Sequence, residues 1–204
     1  MKQCIIFCGG EFDRLHSPIS ADAYIIAADK GLQHTKKAGI RPHAILGDFD
    51  SLGYVPEGAA VFPVEKDDTD AMLAVRSGLD AGCDEFILYG ALDGDRVDHT
   101  VANFQLLAFL ADRGAMGFLL GLRQCATVIK NGKIAFPGEY DGIFSVFCLG
   151  TDAKNVCIRG GQYEVEHVTL SSGFPLGVSN HFVGRPVEVS VEEGRLLIIY
   201  DRQG

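Results

Sequence analysis

Short apolar runs alternate with segments of helical spacing through roughly the first 120 residues. The five apolar runs lie at residues 4–7, 24–28, 44–46, 61–64 and 86–89. Runs of this length suit buried strands, and the alternation of strands with helices is typical of an α/β fold. The pattern therefore predicts an α/β N-terminal domain with a mainly parallel sheet at residues 1–122.

Two segments of this half have the periodicity of amphipathic helices. In residues 69–81 the apolar positions Met72, Val75 and Leu79 recur at helical spacing, and a similar stripe covers residues 98–113. Each predicted helix starts just after the loop that follows a strand. Its N-terminal N–H groups would therefore face one edge of the sheet, where they suit a phosphate.

After about residue 123 the pattern becomes strand-like. The runs lie at 127–130, 133–136, 144–149, 156–159, 163–170, 186–191 and 195–200. Asn131-Gly132 predicts a hairpin with a type I′ turn, and Glu193-Gly194 predicts a second hairpin. Short strands at these intervals predict a smaller all-β, sandwich-like domain at residues 123–204.

Composition narrows the class of protein. The 204 residues are 47% hydrophobic, enough for a substantial core, and the net charge of -9 argues against nucleic acid or an anionic membrane as a partner. The six cysteines contain no C-x-x-C pair and mostly lie in apolar runs, as reduced thiols would. The N-terminal apolar run is too short for a secretion signal and no segment is long enough to span a membrane. We expect a cytoplasmic protein.

The segment Gly47-Asp48-Phe49-Asp50-Ser51 follows an apolar run directly. In an extended backbone alternate residues share a face, so Asp48 and Asp50 would point the same way and Phe49 into the protein. Two carboxylates held together in a cleft repel each other unless a hard cation such as Mg²⁺ bridges them. The segment is either one side of a magnesium site or a polar turn after a strand.

Two further polar motifs follow strands and precede the predicted helices. In Lys66-Asp67-Asp68-Thr69-Asp70, Lys66 would neutralise phosphate oxygens, Asp70 would share the metal, and Thr69 would cap the helix or donate to a phosphate. The alternative is a capped helix start with solvated charges.

The motif at residues 90–99 offers the Arg96 guanidinium to a phosphate, Asp98 as another carboxylate, and His99 beside it. The alternative is a loop with a local Asp–Arg ion pair. Ligands of open α/β sheets bind beyond the carboxyl ends of the strands, so these motifs predict one site. The chain has no Walker A sequence, G-x-G-x-x-G fingerprint, G-x-S-x-G elbow or zinc-type cluster. Carboxylate-bound Mg²⁺ with Lys and Arg around a polyphosphate remains, which suits phosphoryl-type transfer.

In the β half, residues 171–182 combine small, polar and aromatic side chains. They could line a pocket for a flat heterocycle or form an ordinary loop. Five segments, in order along the chain, resemble the thiamine pyrophosphokinase family: Asp29-Lys30-Gly31, residues 42–51, Lys66 to Asp70, Arg96 to Thr100 with Asn103, and Val178 to Phe182.

The resemblance implies ATP-dependent transfer of a pyrophosphoryl group to the hydroxyethyl oxygen of thiamine, with release of AMP. It implies a homodimer whose sites are shared between the α/β part of one subunit and the β part of the other. On the family pattern Mg²⁺ and the triphosphate are surrounded by Asp48, Asp50, Asp70 and Asp98. Nucleotide contacts fall on Asp29, Lys66, Asp67, Thr69, Arg96 and His99, and thiamine contacts on Tyr163, Ser179 and Asn180.

Two alternatives stay open at this point. The acceptor could be another heterocyclic alcohol, such as a hydroxymethylpterin, or the protein could be a non-catalytic thiamine or nucleotide sensor. If the acceptor hydroxyl needs a general base, Asp70 and Asp98 are both candidates.

Overall fold

A computed structural model describes residues 1–50, 52–61 and 68–204. Within these ranges the helices are α1 (Gly31–Lys37), α2 (Asp70–Asp80) and α3 (Val97–Ala111). The strands are β1 (Gln3–Phe7), β2 (Tyr24–Ala28), β3 (Ala44–Gly47), β4 (Ala60–Val61), β5 (Glu85–Tyr89), β6 (Met116–Leu120), β7 (Gln124–Lys130), β8 (Lys133–Phe136), β9 (Ile143–Cys148), β10 (Ala153–Arg159), β11 (Val165–Leu170), β12 (Asn180–His181), β13 (Val187–Ser190) and β14 (Arg195–Asp201).

The N-terminal half contains the predicted parallel sheet, in the order β6-β5-β1-β2-β3-β4. Every neighbouring pair of these strands is parallel. The carboxyl ends of all six strands therefore meet at one edge of the sheet, where the sequence predicts the ligand site. The predicted α/β class is confirmed. Of the fourth predicted strand, residues 62–64 lie outside the described ranges.

The same sheet continues into the C-terminal half. β6 pairs antiparallel with β7, and β14, β9 and β12 follow, giving one sheet of ten strands. A second antiparallel sheet, β11-β10-β13-β8, packs against this extension around an apolar cluster that includes Phe144, Val156 and Val187. The predicted sandwich is confirmed, and one of its layers is an extension of the N-terminal sheet. The predicted boundary at residue 122 falls between β6 and β7.

The two predicted hairpins are wrong. β7 pairs with β6 and β14 whereas β8 pairs with β13, so Asn131-Gly132 carries the chain from one sheet to the other. Gly194 lies at a second crossing, between β13 and β14. Two hydrogen bonds connect these two crossing segments. The Asn131 N–H donates to the Gly194 carbonyl at 3.2 Å, and the Gly194 N–H donates to Asn131 Oδ1 at 2.9 Å.

Both predicted helices are confirmed. Thr69 has an extended backbone and its Oγ1 accepts a hydrogen bond from the Met72 N–H at 3.2 Å, which caps α2. α2 packs on β1, β2 and β3, and α3 packs on β6 and β7. α1 contacts β1 and β2 and was not predicted. Because α2 and α3 begin at the carboxyl edge of the sheet, their first turns border the predicted ligand site.

The cysteines are all free, and five of the six are buried. No helix within the described ranges combines the length and apolar character needed to cross a membrane.

Candidate active site

Three aspartates meet where β2 and β3 end. Asp29, Asp48 and Asp50 each place a carboxylate oxygen within 4.8 Å of the others. Asp29 and Asp48 are half-buried, and Asp50 is exposed. Three carboxylates this close repel one another and offer only oxygen ligands, a donor set that suits a hard divalent cation such as Mg²⁺.

Asp29 reaches this group through an unusual backbone conformation. Its φ is +50°, and its N–H donates to the Leu46 carbonyl at 2.8 Å, so β2 stays paired with β3 up to the turn. Gly47 allows the close approach, because a Cβ there would lie 3.2 Å from both the Cα and the N of Asp29. The family pattern had placed Asp29 near the nucleotide, and the geometry adds it to the candidate metal ligands.

Asp48 and Asp50 come together through a turn around Phe49. The Phe49 side chain is 2% exposed, as predicted, but its φ of +60° shows that the chain is not extended here. The Asp50 N–H donates to Asp48 Oδ1 at 3.2 Å, and the N–H groups of Leu52 and Gly53 donate to the Phe49 carbonyl. The two carboxylates therefore lie close together, and a tight turn, not an extended backbone, is the cause.

Asp70 opens α2, beside the end of β1. Its charge, together with burial as the larger cause, raises the pKa of the Cys8 thiol to about 12. Among the described residues, Asp70 is not part of the group of three aspartates. Thr69 serves as the helix cap, and Arg76 Nε lies 2.9 Å from Asp68 Oδ2. Lys66 and Asp67 lie outside the described residues.

Arg96 and Asp98 form the local ion pair that the sequence left as an alternative. Arg96 Nε and Nη2 donate to the two oxygens of Asp98 at 3.2 and 2.5 Å. The hydrogen bond from Arg96 lowers the pKa of Asp98. Both side chains are about two-thirds exposed, and His99 is also exposed. Like Asp70, Asp98 does not belong to the group of three aspartates among the described residues.

The loop that carries Arg96 is fixed at several points behind the site. The Gly10 N–H donates to the Gly90 carbonyl at 2.9 Å, and buried Asn103 donates through Nδ2 to the Ala91 carbonyl at 2.6 Å. Asp93 Oδ2 accepts from the Leu122 N–H at 2.5 Å. Sequence reasoning missed the anchoring role of Asp93, because its partner is distant along the chain.

In the β half, Asn180 fixes the backbone next to Tyr163. Asn180 is 5% exposed; its Oδ1 accepts from the Tyr163 N–H at 2.9 Å, and its Nδ2 donates to the Tyr163 carbonyl at 2.6 Å. Tyr163 itself is 58% exposed. Ser179 has a φ of +60°, and its N–H donates to Ser145 Oγ at 3.1 Å. The Asn180 side chain is thus hydrogen-bonded to the main chain of Tyr163, and the exposed Tyr163 ring is accessible to a ligand.

A cavity of about 170 Å³ lies in the same half of the chain, and Tyr163, Ser179 and Asn180 do not line it. It is lined by residues 146–148 of β9 and by residues 170–177, and it contains none of the aspartates. Phe174 and Leu176, on its rim, are 65% and 59% exposed. Its lining combines apolar side chains with Ser171 and Ser172, and a concave surface of this kind can accept part of a flat heterocycle.

Comparison with known proteins covers both halves of the chain. Residues 15–116 match the family model described as "Thiamin pyrophosphokinase, catalytic domain", and residues 133–196 match "Thiamin pyrophosphokinase, vitamin B1 binding domain". The first match includes the three clustered aspartates, Asp70, Arg96 and Asp98. The second includes Tyr163, Ser179 and Asn180.

Individual relatives agree with this assignment. The thiamine pyrophosphokinase of Bacillus subtilis (strain 168) is 29% identical over 191 residues, which cover 85% of each chain. A crystal structure of the Bacillus subtilis enzyme has a TM-score of 0.88 at 23% identity over 100% of both chains. The enzyme of Geobacillus thermodenitrificans has a TM-score of 0.81 at 26% identity over 100% of this chain and 99% of its own. By sequence and by fold, the chain belongs to the thiamin pyrophosphokinase family.

Proposed function

We propose that this protein transfers the pyrophosphoryl group of ATP to the hydroxyethyl oxygen of thiamine, giving thiamine diphosphate and AMP. The main support for this proposal is the group of three aspartates at the carboxyl edge of the sheet. The chain that contains them matches both the catalytic and the vitamin B1 binding models of the family. The acceptor oxygen forms a bond to the β-phosphorus of ATP, the bond from that phosphorus to the α-phosphate oxygen breaks, and the hydroxyl proton is released.

Asp29, Asp48 and Asp50 would hold Mg²⁺, because their oxygens already lie within 4.8 Å of one another. When bound, the ion would neutralise charge on the triphosphate and align it for displacement. We extend the proposal to Asp70 and Asp98, on the family pattern. Both lie in the first turn of a helix that begins at the same edge of the sheet.

Phosphate binding is proposed for Arg96, Lys66 and the α3 N-terminus. Arg96 precedes α3 and makes no capping hydrogen bond with its side chain. If the ion pair between Arg96 and Asp98 opened, the planar guanidinium of Arg96 would be free to bind two phosphate oxygens in bidentate fashion. Asp67, Thr69 and His99 complete the proposed nucleotide contacts.

For the acceptor, we propose that Tyr163 stacks on a thiamine ring while Asn180 keeps the Tyr163 backbone in place. The two hydrogen bonds between the Asn180 side chain and the Tyr163 main chain support this division of roles. Ser179, one residue before Asn180, would contribute its exposed hydroxyl. We also propose a homodimer with shared sites, on the family pattern, and a cytoplasmic location, which the six free cysteines support.

The experiment is an assay of AMP release from Mg²⁺-ATP with thiamine as the acceptor. We expect AMP and thiamine diphosphate in equal amounts. A hydroxymethylpterin in place of thiamine is the matched comparison, because it is also a heterocyclic alcohol. Release of ADP in place of AMP would contradict both pyrophosphokinase hypotheses, and thiamine binding without turnover would favour a sensor.

A further inference from the structure

Lys30 is a cation at the carboxyl edge of the sheet that has no assigned role. It directly follows Asp29, one of the three clustered aspartates, and it is exposed. The chain turns at Asp29, where φ is +50°, and α1 begins at the residue after Lys30. A flexible cation one residue from a proposed metal ligand can reach the groups that the metal binds.

The backbone around Lys30 packs against the end of β1. A Cβ on Gly31 would lie 1.8 Å from the Phe7 carbonyl oxygen, so the start of α1 contacts the last residue of β1 directly. A Cβ on Gly9 would lie 3.2 Å from Lys30 Cβ and 4.0 Å from Lys30 Cδ. The stem of Lys30 therefore runs over Gly9, which is exposed and has no side chain of its own to fill this space.

Gly9 also adjoins the loop that carries Arg96. The next residue, Gly10, donates its N–H to the Gly90 carbonyl at 2.9 Å, and a Cβ on Gly10 would lie 2.6 Å from the same carbonyl oxygen. In the sheet, β1 lies between β5, which leads into this loop, and β2, which leads to the aspartate cluster. The stem of Lys30 thus lies between the aspartate cluster and the Arg96 loop.

The charge of the proposed site favours a further cation at this position. Three carboxylates and a triphosphate carry more negative charge than one Mg²⁺ neutralises. Arg96 is paired with Asp98, whose Oδ2 lies 2.5 Å from Nη2. Within the described part of the chain, by contrast, Lys30 has no ion pair. Its ammonium group is therefore available to bind phosphate oxygens as a point charge.

We propose that Lys30 is a further substrate-binding residue, whose ammonium contacts oxygens of the pyrophosphoryl group of ATP between the aspartate cluster and Arg96. The assignment rests on the proposed function, since it requires a nucleoside triphosphate at this edge of the sheet. The pyrophosphoryl group is negatively charged before and during its transfer, so a fixed cation stabilises the ground state and the transition state alike. Loss of Lys30 should therefore weaken nucleotide binding more than it lowers turnover at saturating ATP.

The test is calorimetric titration of the full chain with Mg²⁺ and α,β-methylene-ATP, which cannot be cleaved between its α- and β-phosphorus atoms. We expect Lys30→Met to weaken binding of this analogue by at least ~5-fold, as loss of one charge-assisted contact predicts. Lys30→Arg keeps the charge and should bind the analogue more tightly than Lys30→Met does. Lys37→Met, at an exposed lysine that ends α1, is the matched control and should bind it as the wild type does.

A titration with Mg²⁺ alone separates a phosphate contact from an effect on the metal. Removing a positive charge beside three carboxylates should favour Mg²⁺, so Lys30→Met should bind the ion at least as tightly as the wild type. Weaker binding of Mg²⁺ alone by this variant would contradict the assignment.

Equal affinity of Lys30→Met and the wild type for the analogue would overturn the proposal, as would an equal loss in Lys37→Met or no binding by the wild type. AMP release by the wild type with thiamine as the acceptor tests the proposed function separately. A protein that binds nucleotide without turnover would still show the effect of Lys30→Met on analogue binding.

Discussion

Backbone conformation, as much as side-chain identity, brings the three aspartates together. Asp29, Gly47 and Phe49 all have positive φ values, +50°, +155° and +60°. Aspartate tolerates the left-handed region, but phenylalanine does so only at a cost of order 1–3 kcal/mol, which burial of its ring offsets here. The turn is therefore a strained arrangement, maintained by packing, that directs the carboxylates to one point.

Gly47→Ala should disturb this arrangement. The added Cβ would lie 3.2 Å from the Cα and N of Asp29, at a φ that alanine rarely adopts. We expect a loss of about 1–3 kcal/mol in unfolding free energy, and AMP release lowered at least ~10-fold by displacement of Asp29. Gly39→Ala is the matched control, because φ is +71° there and a Cβ meets nothing within 4 Å. Equal AMP release by the two variants would contradict the role given to Gly47.

Asp48→Asn tests the charge of the cluster. Replacing one of the three carboxylate ligands with a neutral amide should lower turnover by at least ~10²-fold, because the proposed Mg²⁺ would no longer be held in position. The variant should fold normally, since asparagine has the same shape. Asp80→Asn, an exposed position at the end of α2, is the control, and steady-state AMP release is the measurement. Near-normal turnover of Asp48→Asn would refute the metal assignment.

Local signals predicted α2 and α3, whereas strand pairing depended on distant partners. Thr69 caps α2 by accepting a hydrogen bond from Met72, only three residues away, so the local sequence was enough to predict where the helix begins. Asn131 does adopt the positive φ, +45°, that an Asn-Gly turn suggests. What local sequence does not encode is that Asn131 binds Gly194 and that β8 pairs with β13. Similarly, the spacing of Asp48 and Asp50 indicated a pair, but the approach of Asp29 required the turn around Gly47.

Asp112 joins α3 to the β half. Its oxygens accept from Arg195 Nε and Nη2 at 2.9 and 2.7 Å, and Lys130 Nζ lies 3.0 Å away. The hydrogen bond from Arg195, followed by that from Lys130, lowers the pKa of Asp112 to about 2. The carboxylate side chain is 33% exposed, so solvent screens the ion pairs. We take their contribution to stability as ~0.5–1 kcal/mol.

Asp112→Asn should therefore destabilise the protein in a pH-dependent way. Because the folded pKa lies below the unfolded value of 3.8, the wild-type advantage is fully present above pH 3.8 and is lost as the pH falls toward 2. The measurement is urea unfolding of wild type and variant between pH 7 and pH 2.5. Asp80→Asn is again the control. A difference in unfolding free energy that stays constant down to pH 2.5 would be inconsistent with these ion pairs.

The ten-stranded sheet links the two halves of the chain through the β6–β7 ladder. Because these strands share backbone hydrogen bonds across residue 122, we expect the halves to unfold together. Hydrogen exchange at increasing urea concentrations should give one transition midpoint for peptides from β5 and β6 and for peptides from β9 and β14. Separate midpoints would instead support two independently folding domains divided near residue 122.

β14 lies between β7 and β9 in the sheet, although it follows both along the chain. During synthesis, β7 and β9 therefore leave the ribosome with their shared neighbour still missing, and each exposes an unpaired strand edge until residues 195–201 emerge. In the N-terminal half, β1 waits in the same way for its neighbour β5, which begins at Glu85. A nascent chain stalled before β14 exposes the edges of two strands at once, and we expect it to aggregate more readily than the full-length chain.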